Sequence, residues 1–87
     1  MNAMQKEVFR RAVLSVLDAN RTRFGLGVNA IALTLSAYGF AKTADDEVAD
    51  ALDYIAAKNL CEEVTKTISK ENRAWRITSA GIAFLDQ

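Results

Sequence analysis

The spacing of apolar residues changes partway along the chain, and this change restricts the possible folds most strongly. Across residues 4–19, and again after Thr43, apolar residues recur every three or four positions, which predicts amphipathic helices. Across residues 73–78 they alternate instead, with Trp75 and Ile77 on one face, as in a half-buried strand. This order of periods predicts an α+β fold that is mainly helical.

Cap and stop residues delimit the first two predicted helices. One covers residues 4–19 and ends at Asn20. The next covers residues 30–37, with Asn29 as its N-cap and Gly39 as a left-handed stop. Its residues are apolar nearly all round, so we expect it to be heavily buried.

The third and fourth predicted helices have clear start signals. Thr43 is the expected N-cap of the third, with Asp46 three residues later in a capping-box position, and Asn59 is its expected end. Thr78 is the expected N-cap of the fourth, which covers residues 79–86. Gly81 weakens this helix, so we expect close packing at that position.

Two extended runs between these helices predict an antiparallel hairpin. They cover residues 61–69 and 73–78, with a polar turn at residues 70–72 between them. A brief edge strand is expected near Leu26. The alternation of Trp75 with Ile77 places the indole in the core, which favours a packing role over stacking on a nucleic-acid base.

The composition argues for one small domain, covering residues 1–87, and against an enzyme. The chain has no His and a single Cys, so the usual zinc sites and catalytic triads are excluded, and we expect no cofactor and no small-molecule substrate. Cys61 is expected to be a half-buried small residue. With no signal peptide and no apolar run of membrane-spanning length, we expect a cytoplasmic protein without a membrane partner.

The order of these elements resembles the winged helix-turn-helix superfamily, in particular its small bacterial and phage members. The matching positions are Trp75, Ile77, Thr78, Gly81 and Leu85, at the end of the hairpin and in the last helix. The resemblance implies a three-helix core, an antiparallel wing of two or three strands, and a C-terminal helix. It implies a fold better than a function, because winged helices bind DNA in some cases and protein in others.

Charge is balanced overall but segregated along the chain. Residues 1–42 carry a net charge of +4, residues 43–63 a net charge of −6, and residues 64–87 a net charge of +2. The acidic block is the third helix, which enters the major groove in DNA-binding winged helices. No Arg, Lys, Asn or Gln occurs across residues 43–57 to contact a base edge.

A DNA-associated regulator is one functional hypothesis, but it requires contacts outside the third helix. The wing and the N-terminal region supply the candidate phosphate contacts: Lys66, Lys70, Arg73, Arg76, Arg10, Arg11, Arg21 and Arg23. The alternative is that these are ordinary solvated charges on a protein surface.

A protein-interaction or self-associating adaptor module is the other hypothesis. Its candidate face consists of Asp46, Asp50 and Asp53 on the third helix. Helix capping and the helix dipole are sufficient to explain the acids of the first turn, but they do not explain the missing basic residues. The sequence leaves DNA and a protein partner both open, including a homodimer in which the acidic and basic regions pair between subunits.

Overall fold

A computed structural model describes residues 2–21, 24–40, 43–64 and 73–87. Within these ranges the chain forms four helices and three short strands, a mainly helical α+β arrangement. In chain order they are α1 (Ala3–Ala19), β1 (Leu26–Gly27), α2 (Val28–Ala37), α3 (Asp45–Ala57), β2 (Cys61–Val64), β3 (Ala74–Ile77) and α4 (Ser79–Leu85). None of the four helices is long and apolar enough to span a membrane.

Helix α1 has a polar cap at each end. The Asn2 side chain accepts the backbone N–H of Gln5 at 2.8 Å, and the Gln5 side chain accepts the N–H of Asn2 at 2.9 Å. This capping box satisfies two donors that the helix start leaves unpaired. Asn20 is the C-cap, as predicted, and its side-chain amide donates to the Val16 carbonyl oxygen at 2.9 Å.

Helices α2 and α3 each end at a residue with a left-handed backbone. Gly39 has φ 95° after α2, and Asn59 has φ 63° after α3. The amides of the next residues, Phe40 and Leu60, each donate to the carbonyl oxygen five residues earlier at 3.0 Å. This arrangement satisfies the last carbonyls of both helices and confirms the predicted stops at Gly39 and Asn59.

The start of α2 differs from the prediction. The helix begins at Val28 and its N-cap is Gly27, so Asn29 lies inside the first turn and the prediction that it caps α2 is wrong. The physical reason is that the chain passes from β1 directly into the helix. No connecting residue remains to supply a polar side chain, and the N-cap makes no side-chain hydrogen bond.

The start of α3 also differs from the prediction by one residue. Its N-cap is Ala44, so the prediction of Thr43 is wrong. The Thr43 hydroxyl donates to the Phe40 carbonyl oxygen at 2.6 Å and is therefore committed to the preceding turn. The Glu47 carboxylate accepts the Ala44 N–H at 3.4 Å, so Glu47 occupies the position predicted for Asp46.

The three strands form an antiparallel sheet in the order β1–β3–β2. β2 and β3 form the predicted hairpin, with Cys61 opposite Ile77. β1 pairs with the other edge of β3, with Leu26 opposite Trp75, which confirms the expected edge strand. The predicted strand residues 65–69 and the predicted turn at residues 70–72 lie outside the described residues.

The core lies between the first three helices and one face of the sheet. Its buried apolar residues are Phe9, Val13, Leu14, Val16, Leu17, Ile31, Leu35, Val48, Ala51, Leu52, Ile55, Cys61 and Trp75. Trp75 is only 3% exposed, which confirms its predicted place in the core. The expectation for α2 is wrong in part, because only Ile31 and Leu35 are buried there and Leu33 is 74% exposed.

Helix α4 packs against the end of α3 through its first turn. The Thr78 hydroxyl oxygen accepts the Gly81 N–H at 3.1 Å, as predicted for an N-cap, and the hydroxyl donates to the Asn59 carbonyl oxygen at 2.7 Å. A Cβ atom on Gly81 would lie 2.1 Å from the Leu60 carbonyl oxygen. The expected close packing at Gly81 is confirmed.

Candidate functional site

The outward face of α3 carries a row of acidic side chains. Asp46, Asp50 and Asp53 are all exposed, and their spacing of four and three residues places them on one side of the helix. The opposite side buries Val48 and Leu52 in the core. The fold therefore brings together the three residues that the sequence nominates as a protein-interaction face.

Part of this acidity has a structural role. Asp45, Asp46 and Glu47 occupy the first turn of α3, where the positive end of the helix dipole stabilises negative charge. Asp50 lies beyond that turn, in the middle of the helix, so neither capping nor the dipole accounts for it. Asp50 is therefore the member of the acidic row that most needs another explanation.

The two hairpin arginines are paired with carboxylates. Arg73 donates to Glu63 at 3.0 Å and to Asp53 at 3.3 Å, and Arg76 donates to Glu62. The hydrogen bond to Glu63, reinforced by both carboxylate charges, raises the pKa of Arg73 above its ordinary value. These pairings neutralise much of the positive charge that the hairpin would otherwise present to a phosphate.

The arginines of α1 and of its C-terminal flank also have partners within the chain. Arg21 forms an ion pair with Asp18 at 2.6 Å. Arg10 lies over the Tyr54 ring, with its guanidinium carbon 3.5 Å from the ring centroid. Arg11 donates to the Leu85 carbonyl oxygen at 3.1 Å. The other candidate phosphate contacts, Arg23, Lys66 and Lys70, lie outside the described residues.

A cleft of about 330 Å³ lies between α1, α3 and α4. Tyr54 and Phe84 line it, and both are more than a third exposed. The Lys58 ammonium is 5.2 Å from the Tyr54 ring centroid, and the Arg11 guanidinium carbon is 5.5 Å from the Phe84 centroid. The remaining lining residues are Glu7, Arg10, Leu14, Ile55 and Leu60. The cleft thus combines an apolar floor with a basic rim.

A second, wider cleft of about 610 Å³ lies along the same side of α3, towards its start. Arg10 lines both clefts. Lys6, Glu47 and Asp50 add mixed charge to the second one. Arg10 therefore lies between the acidic half of α3 and the aromatic ring at position 54.

Sequence reasoning nominated neither Tyr54 nor Lys58 as a functional residue. A signal was available within α3, because Asp50, Tyr54 and Lys58 recur at every fourth position. The stacking of Arg10 on Tyr54 had no such signal, since it joins two helices that are distant in sequence.

Cys61 has the surroundings of a structural cysteine. It is 2% exposed, so the expectation of a half-buried residue is wrong and Cys61 belongs to the core. Its thiol lies 3.7 Å from the Leu52 carbonyl oxygen as a weak donor. Burial raises the pKa of the Cys61 thiol to about 12, with smaller contributions from the negative charges of Asp53 and Glu62. The thiolate is the reactive form, so this group is unreactive near neutral pH. The described residues contain no group of side chains suited to holding a metal ion.

Comparison with known proteins gives no match for this chain among protein-family models, curated proteins or solved structures. The fold class therefore comes from the geometry of the described residues.

Proposed function

We propose that the chain is a non-enzymatic protein-interaction module that docks on a basic partner through the outward face of α3. The observation that carries this proposal is the exposed row of Asp46, Asp50 and Asp53 on a helix whose opposite side is buried. Charged residues arranged in this way orient a partner and speed its association.

The fold supports assignment of this module to the winged-helix type. Three helices pack around one core, a hairpin follows α3, and a short helix follows the hairpin. β1 extends the hairpin on its free edge, as expected for a three-stranded wing. In DNA-binding proteins of this type α3 is the element that enters the major groove, and here its exposed face is acidic.

The pairing of the hairpin arginines favours a protein partner over DNA. Arg73 and Arg76 both form ion pairs with acids of the same chain, so a phosphate would have to displace a carboxylate. The acids along α3 would in addition repel the phosphates on both sides of a groove.

A DNA-associated regulator is the second candidate, and one observation favours it. None of the described carboxylates forms an ion pair with Lys6, Arg10 or Arg11 of α1. With Lys66 and Lys70, which lie outside the described residues, these residues would carry a sequence-tolerant interaction with phosphates that does not use α3.

One pair of titrations separates the two candidates. A fluorescein-labelled helical peptide with lysines along one face is the protein-like probe, and a labelled random-sequence DNA duplex is the other. At about 50 mM salt, where electrostatic binding is strong, we expect the peptide to bind and the duplex not to bind. Asp50→Lys should weaken peptide binding by roughly tenfold or more.

The matched control is Asp86→Lys, which reverses an exposed acid at the C-cap of α4 that lines neither cleft beside α3. It should leave the affinity for the peptide unchanged. Equal weakening by Asp86→Lys would show that only net charge matters and would overturn the assignment to α3. Duplex binding without peptide binding would establish the DNA candidate instead.

A further inference from the structure

Four exposed side chains form a continuous ridge along α3. They are Asp46, Asp50, Tyr54 and Lys58, and they recur at every fourth position from the first turn to the C-cap. Residues four apart on a helix stack into a ridge of this kind. In chain order the ridge carries two acids, an aromatic ring and a base, so its ends have opposite charge.

We infer that this ridge is a self-association surface and that its occupant is a second copy of the chain, packed with its own α3 antiparallel. The inference rests on the proposed function and names the partner, whose basic groups at the contact are Lys58 of the ridge and Arg10 beside it. In one register Asp46 of each copy faces Lys58 of the other, and Asp50 faces Tyr54. Every contact then occurs twice, which is the condition for a closed two-fold dimer.

The surroundings of Tyr54 make this register electrostatically favourable. The Arg10 guanidinium carbon lies 3.5 Å from the ring centroid and the Lys58 ammonium lies 5.2 Å from it. Two cations therefore converge where the carboxylate of Asp50 from the other copy would arrive. A carboxylate that meets a guanidinium forms one of the stronger hydrogen bonds in proteins.

The spacing of the charges is also suited to two copies. Asp46 and Lys58 are 12 residues apart, so they lie about 18 Å apart along the helix axis. The two ion pairs would therefore lie at opposite ends of the contact, with the aromatic rings between them. Antiparallel packing also places the negative end of each helix dipole beside the positive end of the other.

The remaining charged groups nearby are of both signs. Glu7 and Glu47 line the two clefts beside the ridge and would oppose the approach of acids, whereas Lys6 and Arg11 would favour it. Asp53 lies off the ridge and is held by Arg73, so it takes no part. Phe84 on the far wall of the smaller cleft adds exposed apolar surface to the contact.

A charge-swap experiment on the full chain tests this pairing by sedimentation velocity. Asp46→Lys places like charges at both ends of the contact, and so does Lys58→Asp. We expect each variant alone to raise the dimer dissociation constant by roughly tenfold or more. An equimolar mixture of the two should recover dimers, because the mixed dimer again has two ion pairs, one of the original polarity and one of reversed polarity. The double variant in one chain should also self-associate.

Two controls keep the outcome decisive. Arg21→Asp mixed with Asp86→Lys makes the same charge changes at residues that line neither cleft beside the ridge, and this mixture should show no mutual recovery. The parent dimer should weaken between about 50 mM and about 500 mM salt, since exposed ion pairs are screened. Circular dichroism on each variant checks that the helices are retained.

Three results would overturn the inference. They are a parent chain that stays monomeric to about 1 mM at low salt, a dimer indifferent to both single variants, and a mixture without recovery. If the chain is monomeric yet still binds the lysine peptide through Asp50, the proposed function stands and only the choice of partner is wrong. If the chain neither dimerises nor binds the lysine peptide, the proposed function and the choice of partner are both wrong.

Discussion

Replacement of Gly81 by alanine tests the most crowded glycine position in the fold. The new Cβ would lie 2.1 Å from the Leu60 carbonyl oxygen and 2.7 Å from Cγ1 of Ile77. That carbonyl already accepts the Thr78 N–H at 3.2 Å, so it cannot move away without weakening this bond. Alanine has a higher helix propensity than glycine, so without this clash the substitution would stabilise α4. The clash therefore decides whether the free energy of unfolding rises or falls.

The magnitude follows from three contributions. Overpacking of this severity costs about 3 kcal/mol, and weakening of the Thr78 hydrogen bond costs about 1 kcal/mol. The better helix propensity of alanine returns about 1 kcal/mol. We therefore expect Gly81→Ala to lower the free energy of unfolding by about 3 kcal/mol and Tm by about 10–20 °C.

Urea unfolding followed by the fluorescence of the single tryptophan measures this change. The matched control is Gly27→Ala, whose Cβ would meet its nearest neighbour, the Arg73 carbonyl oxygen, at 3.7 Å. It should cost less than about 1 kcal/mol, since it only replaces one N-cap residue by a poorer one. A Gly81→Ala variant as stable as the parent would refute the close approach of α4 to the end of α3.

Further predictions concern three single residues. Thr78→Ala removes both hydrogen bonds of the α4 cap and should lower the free energy of unfolding by about 1–2 kcal/mol in urea titrations. Glu63→Gln should lower it by less than about 1 kcal/mol, with a smaller effect in high salt, because the Arg73 pair is partly exposed. Cys61 should resist a maleimide at pH 8 in the native state and react fully in denaturant. Because burial raises the pKa of Cys61 from its ordinary value of 9.0 to about 12, the free energy of unfolding should fall as pH rises above 9, by at most about 1.4 kcal/mol per pH unit.

Each of these has a clear contrary result. A neutral Thr78→Ala would mean that the cap bonds do not contribute, and a Glu63→Gln effect that is independent of salt would argue against an ion pair. For Cys61 the control is Cys61→Ala, measured at pH 8 and at pH 10. If the stability difference between parent and variant is the same at both values, the thiol does not hold its proton in the folded state.

Local sequence signals predicted where the helices end better than they predicted which side chains are buried. Gly39 and Asn59 were identified as stops because left-handed backbone is a property of single residues. The alternation around Trp75 identified a strand and its buried face. The predicted N-caps Asn29 and Thr43 lie within two residues of the observed ones. β1 runs directly into α2, and the Thr43 hydroxyl is committed to the Phe40 carbonyl oxygen.

The pairings that shape the candidate site could not be predicted in this way. Arg73 reaches Asp53 across 20 positions, and Arg10 reaches Tyr54 across 44. Both contacts depend on how α1, α3 and the hairpin pack against one another. Local sequence patterns do not specify that packing. Leu33 shows the same limit, since an apolar helix does not itself reveal which face a neighbour will cover.

The central position of β3 has a consequence for the kinetics of folding. Its pairing with β2 closes a short hairpin, whereas its pairing with β1 joins Leu26 to Trp75 across about 50 residues. Long loops carry a larger closure entropy, so the edge formed by β1 is the slower one to nucleate. Trp75 lies on the strand that takes part in both pairings. In a stopped-flow experiment the fluorescence of Trp75 would therefore change when the hairpin forms and change again when β1 joins its edge.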